Sequence, residues 1–172
     1  MKVLDWWWVK LLDGKVVADL QAIEFYSGSE ETDADRDGLN DHVIDGGQFS
    51  TNDYRKVTDQ IVLHESVTNT RKSALLVLAK RKLSVHFTVD RDGSVHRHAD
   101  ENAHCQHAGA KHNGRSIAIE FINRYYGEHA NGQRVIRAIW AHKNSYILPT
   151  AEQCEAGYRL VKSLADRYGV PL

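Results

Sequence analysis

The first candidates for chemistry in this chain are one residue at the end of an apolar run and one inside another apolar run. His64 ends the run Gln60-Ile61-Val62-Leu63, and Glu120 lies inside the apolar run 116–122. A strand end is a rigid position for a metal ligand. A carboxylate within an apolar strand is costly unless it is paired, protonated or near a metal, and desolvation raises its pKa toward the range of a general acid or base. Locally, a structural role for His64 and a water-facing edge position for Glu120 stay open.

A loop rich in polar and small residues precedes the Glu120 run. It contains His107-Ala108-Gly109 and then Asn113-Gly114-Arg115. Small residues let a ligand approach the backbone, and His, Asn and Arg side chains can orient polar groups. His107 and Asn113 are therefore candidate binding residues, although the signal is weak by itself.

A second cluster of candidates is acidic. Asp33, Asp35 and Asp37 alternate before Gly38, and Asp41 follows. Alternate carboxylates before a turning glycine can surround Ca²⁺. Ile44 stands at the twelfth loop position, where an EF-hand has glutamate, so the pattern predicts an atypical calcium loop or a solvated acidic loop.

These candidates need elements to position them, and the hydrophobic pattern supplies such elements. Period-two and apolar runs indicate strands, and apolar residues at helical spacing indicate helices. The predicted strands are 60–64, 83–89, 94–98 and 116–122, and the predicted helices are about 71–82 and the segment from Thr150 onward. The order β-α-β-β-β-α indicates an α/β fold, a mixed central β-sheet flanked by helices. Residues 124–149 are predicted to be irregular.

The N-terminal third has a different character. Residues 1–27 predict strands, with Asp13-Gly14 as a hairpin turn, and residues 28–56 predict a long polar loop. The Trp6-Trp7-Trp8 cluster is interpreted as a core anchor rather than a carbohydrate-stacking surface, because tryptophan buries a large area. We therefore divide the chain into an N-terminal extension, 1–57, with hairpin and Asp-rich loop, and a domain over 58–172.

Composition excludes several classes of function. The chain has 172 residues and a formal net charge of −1, so no overall basic field exists to hold a nucleic acid. Its ten histidines favour a metal site. Cys105 and Cys154 lie far apart and predict neither a disulfide framework nor a zinc ribbon. We expect no membrane span and no signal peptide, which is typical of a cytoplasmic enzyme or of a phage-encoded lysin that acts on the cell wall once released.

Four blocks, taken in order, resemble the type-2 N-acetylmuramoyl-L-alanine amidase family, which includes phage endolysins, cell-wall amidases and peptidoglycan recognition proteins. Two of them are specific, an S-x-H-F-x-V-x-R-D-G hairpin and an H-A-G stretch followed by N-x-x-S-I-x-I-E. The blocks are 61–66, 83–93, 107–120 and 149–171. The resemblance covers about 58–172.

The resemblance implies a fold, a cofactor and roles for residues. The fold would be a mixed sheet flanked by helices, and a zinc ion would activate water to cut the amide between N-acetylmuramic acid and L-alanine in peptidoglycan. His64 would be a zinc ligand, and Glu120 would help to deprotonate the water. Members that use a Tyr place it where this chain has Val85. His107 and Asn113 would contact the peptidoglycan or muropeptide.

The chain departs from the family pattern in its remaining metal ligands. The family's second and third zinc ligands follow the late helix, so they are expected beyond Leu172. A catalytic zinc usually has three protein ligands. A chain cut short, which would invite self-association, or a second polypeptide would explain this. Otherwise local histidines would substitute, the candidates being His86, His104, His107 and His142.

Two other functions compete with the amidase. A non-catalytic peptidoglycan-binding module would keep the groove without the metal, and the missing ligands favour it, whereas His64 and Glu120 favour the enzyme. A calcium-stabilised interaction domain could instead be built on residues 1–56.

Overall fold

The computed structural model describes residues 54–126 and 132–172. Within these ranges the chain forms six strands and three α-helices. In chain order they are β1 (Gln60–Glu65), α1 (Arg71–Lys80), β2 (Phe87–Val89), β3 (Val95–Arg97), α2 (Ala110–Asn113), β4 (Ser116–Phe121), β5 (Val135–Arg137), β6 (Ser145–Ile147) and α3 (Ala151–Tyr168). The predicted N-terminal strands and the Asp-rich loop with Asp33, Asp35, Asp37 and Asp41 lie outside the described residues and stay predictions.

Four strands form the main sheet, in the order β1-β4-β2-β3. β4 runs parallel to β1 on one side and to β2 on the other, and β3 is antiparallel to β2. β4 is buried along its whole length. An apolar run is typical of a strand that is covered on both faces.

Helices cover both faces of this sheet. The α3 face carries the larger core, in which strand side chains pack against Leu160, Val161 and Leu164 of α3; the strand residues are Phe87, Val89, Val95, Ile117, Ile119 and Phe121. On the opposite face, the α1 face, Ala118 of β4 packs with Leu75 and Leu78 of α1. The predicted mixed sheet flanked by helices is confirmed.

The predicted strand 83–89 is shorter in the structure and begins only at Phe87. His86 already pairs with β4, since its backbone N–H donates to the Ala118 carbonyl at 3.2 Å and its Nδ1 accepts the N–H of Ala118 at 2.9 Å. Ser84 bonds instead to Gln106, with its N–H donating to the Gln106 carbonyl at 2.9 Å. Period-two alternation over 83–86 therefore reflects a segment that bonds to β4 at His86, just before β2 begins, while Ser84 bonds outside the sheet.

The prediction that residues 124–149 are irregular is wrong for the second half of this segment. β5 and β6 form a separate two-stranded antiparallel sheet in which Ile136 faces Tyr146. Each strand has three residues, which is too short for a periodic pattern to indicate. No helix among the described residues is long and apolar enough to cross a membrane.

α3 begins and ends where its sequence predicts. The Thr150 hydroxyl accepts the N–H of Gln153 at 3.0 Å, which is the expected N-cap contact. Gly169 ends the helix at φ 66°, in the left-handed region that favours glycine. Gln153 is itself fully buried, and its Nε2 donates to the carbonyl of Val89 at 2.7 Å, which fastens α3 to β2.

The N-cap of α3 gives a first prediction about stability. Thr150→Ala should lower the free energy of unfolding by about 1–2 kcal/mol, because it removes both the cap and a hydrogen bond from the hydroxyl to the Arg91 carbonyl. Thr150→Ser keeps both bonds and should cost less than half as much. Urea unfolding of the two variants beside the wild type measures the difference, and equal losses would contradict a role for the hydroxyl.

Candidate active site

His64 and Glu120 lie side by side on the α1 face of the sheet. They are paired positions in the parallel register of β1 and β4, and Glu120 is in turn paired with Thr88 of β2. Paired residues on adjacent strands project to the same side, and Ala118, two residues before Glu120, packs against α1. The sheet therefore brings a histidine, a carboxylate and a hydroxyl into one row.

Burial alters the acid–base behaviour of Glu120. Glu120 is only 7% exposed. Among residues 54–126 and 132–172, no hydrogen-bond donor or cation pairs with its carboxyl group. Desolvation, with a smaller contribution from the nearby charge of Glu65, raises the pKa of Glu120 to about 7. Near neutral pH this carboxyl can both accept and donate a proton.

Glu65 follows His64 as the last residue of β1, and two hydrogen bonds hold its side chain. Its Oε1 accepts hydrogen bonds from Asn123 Nδ2 at 2.8 Å and from the Tyr146 hydroxyl at 2.9 Å. Burial raises the pKa of Glu65, while these two hydrogen bonds act in the opposite direction. The β5–β6 hairpin thus fixes a second carboxyl close to Glu120. Sequence reasoning missed this contact, since nothing local links Tyr146 to Glu65.

His107 contacts His64 directly. The distance from His64 Nε2 to His107 Nδ1 is 3.0 Å, and His107 Nε2 lies 3.1 Å from the hydroxyl of Ser116. Desolvation, followed by the charge of His64, lowers the pKa of His107 to about 3, and desolvation also lowers the pKa of His64. Both imidazoles are therefore neutral at neutral pH, which is the state that can serve as a metal ligand.

Asn113 holds the loop that carries His107. Its Oδ1 accepts the N–H groups of His107 at 3.1 Å and Ala108 at 2.8 Å, and its Nδ2 donates to Gln106 at 2.7 Å. The residue is 3% exposed. The structure thus gives the Asn113 amide a positioning role inside the loop, and its contact with substrate stays a prediction.

The other candidate histidines do not complete a metal site. His86 is fully buried and uses both ring nitrogens, with Nε2–H donating to the Ala103 carbonyl at 2.9 Å in addition to the Ala118 contact. His142 packs against the Tyr126 ring, with 5.3 Å between centroids. In the part of the chain that the structure describes, no three His, Cys, Asp or Glu side chains come together as a metal centre.

The described residues therefore fit one position of a zinc centre and not a whole one. His64 is neutral and stands at a rigid strand end, and none of the described residues hydrogen-bonds to its Nδ1. A zinc centre needs at least two more protein ligands. Local replacement of the missing ligands by His86, His104, His107 and His142 is not borne out among these residues.

Two polar neighbours of the site escaped sequence reasoning. Thr88 continues the row from Glu120, and its hydroxyl lies 2.9 Å from Nε2 of the buried His98. Ser116 bonds to His107 at the start of β4. Both are small hydroxyl residues in apolar strands. They alternate with residues of the α3-face core, and this alternation is the sequence signal that could have placed them on the α1 face.

The fold and the site define an α/β domain in which a buried carboxyl lies beside a half-buried histidine on the adjacent strand. A family profile described as N-acetylmuramoyl-L-alanine amidase matches residues 53–172. The chain belongs to this amidase family, which confirms the resemblance carried by its sequence blocks. Among curated protein sequences, none matches this chain.

Solved structures show the same fold. The endolysin N-acetylmuramoyl-L-alanine amidase LysCS from Clostridium intestinale URNW is 22% identical, with a TM-score of 0.51 over 71% of this chain and 68% of that one. The amidase AmiD from E. coli, solved with anhydro-N-acetylmuramic acid-L-Ala-D-γ-Glu-L-Lys, is 20% identical, with a TM-score of 0.52 over 71% of this chain. The alignment spans 48% of the AmiD chain, about half of its length.

Proposed function

We propose that this chain hydrolyses the amide between N-acetylmuramic acid and L-alanine in peptidoglycan, with zinc as its cofactor. Membership of the amidase family supports the reaction class. The observation that carries the proposal is the pairing of His64 with Glu120 across β1 and β4. A purely binding surface has little need of a buried carboxyl whose pKa is about 7.

Glu120 would act as the general base and then as the general acid. As a carboxylate it takes a proton from the attacking water while the new C–O bond forms at the amide carbonyl. It then returns this proton to the L-alanine nitrogen as the C–N bond breaks. The products are the lactyl carboxylic acid, which keeps the second proton of the water until it ionises, and a free amine. A pKa close to the working pH makes both transfers accessible to one group.

Zinc, when bound, would polarise the carbonyl and lower the pKa of water. His64 would provide one ligand, and we propose that the remaining ligands come from chain outside the described residues. The neutral state of His64 and its fixed position support this role.

A non-catalytic peptidoglycan-binding module is the second candidate. The lack of a three-ligand metal group among residues 54–126 and 132–172 favours it. Such a module would retain the surface around His107 and would bind cell-wall fragments without cutting them.

The two functions are separated by one experiment on the full-length protein. We expect zinc-supplemented protein to release free L-alanine-terminated peptide from a muropeptide, detected by mass spectrometry, and His64→Ala to reduce the rate at least about 10²-fold. His142→Ala, a histidine on the turn before β6, is the matched control and should retain the rate. Binding to insoluble peptidoglycan without any cleavage, at a level unchanged in His64→Ala, would contradict the amidase function and support the binding module.

A further inference from the structure

The Ser116 hydroxyl starts a chain of hydrogen bonds whose directions are all determined. Its oxygen lies 2.6 Å from the carbonyl oxygen of His112 and 3.1 Å from His107 Nε2. A carbonyl can only accept, and at 2.6 Å two bare oxygen lone pairs would repel each other, so the hydroxyl proton points to His112. Having only one proton, the hydroxyl must accept from His107.

The hydrogen bond from His107 to Ser116 determines the direction of the next hydrogen bond, which joins His107 and His64. His107 carries its proton on Nε2, and because no carboxylate among the described residues pairs with this ring to hold a second proton, Nδ1 has a free lone pair. The 3.0 Å contact between His107 Nδ1 and His64 Nε2 is then a hydrogen bond in which His64 donates. His64 in turn keeps its own lone pair on Nδ1, to which none of the described residues donates.

We propose that Ser116 and His107 are positioning residues that fix His64 as its Nε2–H tautomer, so that Nδ1 is the atom offered to a metal. The role of that metal rests on the proposed function, whereas the tautomer does not. A ligating histidine commonly donates its other N–H to an acceptor that sets ring orientation and tautomer. Here the acceptor is a second imidazole, whose own tautomer a serine sets.

The surrounding structure holds this relay in place. Ser116 is fully buried at the start of β4. The His112 carbonyl is fixed by α2, and the His112 ring donates from Nδ1 to Gln60 Oε1 at 2.9 Å, which ties α2 to β1. Asn113 binds the backbone N–H of His107. His64 and Ser116 thus lie on two adjacent strands, and Asn113 holds His107 between them.

The tautomer is measured directly by long-range ¹H–¹⁵N NMR of the imidazole nitrogens in the metal-free chain, with the His64→Gln spectrum used for assignment. We expect a single Nε2–H tautomer for His64 in the wild type. In Ser116→Ala the proton on His107 loses its acceptor, so His107 can reverse and His64 should become a mixture of tautomers. Ser116→Thr retains the hydroxyl in a β-branched residue suited to a strand, and should restore the single form.

Ser94→Ala is the matched control, since Ser94 contacts a different ring, His96 Nε2 at 3.3 Å, and should leave His64 unchanged. An Nδ1–H or mixed His64 in the wild type would overturn the proposal, as would an unaltered His64 in Ser116→Ala. Zinc added afterwards should shift the ¹⁵N resonance of His64 Nδ1 and leave the proton on Nε2. Loss of the Nε2 proton would also contradict the proposal. If the wild type shows the single tautomer yet cleaves no muropeptide, the relay stands and the proposed function fails.

Discussion

Replacing Glu120 with glutamine should abolish amide hydrolysis and at the same time stabilise the fold above pH 7. Because Glu120 is the proposed general base, its loss should lower kcat/KM by about 10²–10⁴-fold. The stability gain has a separate origin, because the charged carboxylate is buried without a partner among the described residues, and glutamine of nearly the same shape carries no charge. We expect a gain of about 1–3 kcal/mol at pH 8.

The sign of the pH dependence follows from the direction of the pKa shift. Burial raises the pKa of Glu120 to about 7 in the folded chain, above its ordinary value of 4.5. Between these two values the folded state holds a proton that the unfolded state has lost, so stability falls as the pH rises through this window. The advantage of Glu120→Gln should therefore be small at pH 4.5 and fully developed above pH ~8.

Urea unfolding of the two proteins from pH 5 to pH 8.5 tests this directly. Glu155→Gln is the control, since Glu155 is partly exposed and pairs with Arg159 one turn along α3, and its effect should stay within about 0.5 kcal/mol. In the active wild type, kcat/KM should rise with pH and level off above about 7 as Glu120 ionises. A Glu120→Gln variant that keeps full activity would show that another group is the base, and a pH-independent stability difference would show that the carboxyl is not desolvated.

Substituting Gly157 with alanine should destabilise the chain although it lies in the middle of α3. Alanine normally favours a helix interior by about 0.5–1 kcal/mol over glycine. Here the added Cβ would lie 2.3 Å from Cζ and 2.6 Å from Cε1 of Phe121, which is buried at the end of β4. Such overpacking costs about 3 kcal/mol, so we expect a net loss of about 2 kcal/mol in the free energy of unfolding.

The cause of that loss can be isolated with a double-mutant cycle. Phe121→Leu removes the ring edge, so Gly157→Ala in that background should cost much less, or become favourable. Gly114→Ala is the matched control, because no atom lies within 4 Å of its added Cβ and its φ is −76°. A loss in Gly157→Ala that persists with Phe121→Leu would point to the helix backbone rather than to the contact with β4.

Local sequence was sufficient for the elements whose signals are local. The helix predicted over 71–82 extends from Arg71 to Lys80, and it ends there because the chain turns through Lys82 at φ 60°. The predicted start of α3 at Thr150 is confirmed, since a capping hydroxyl and an amphipathic repeat act within a few residues. The apolar run of β4 indicated a central strand, and family membership followed from blocks that the profile also matches.

The tertiary structure decided what depends on residues far apart in the chain. The neighbours of β4 in the sheet, and with them the pairing of Glu120 with His64, follow from strand order rather than from any local pattern. The β5–β6 hairpin depends on pairing between its two strands and on the contact of Tyr146 with Glu65, which lies 81 residues away in the chain.

For the site too, local sequence identified the candidate residues, and the tertiary structure determined their chemistry. Sequence identified His64 and Glu120 as the reactive candidates, because a histidine at a strand end and a carboxylate in an apolar run are unusual choices. It left open whether Glu120 is buried, with a raised pKa, or faces water at a sheet edge, and it gave no sign that Ser116 sets the tautomer of His107. Desolvation and hydrogen-bond direction depend on which groups surround an atom in space, and only the packed sheet, with α1 and the His107 loop against it, determines that.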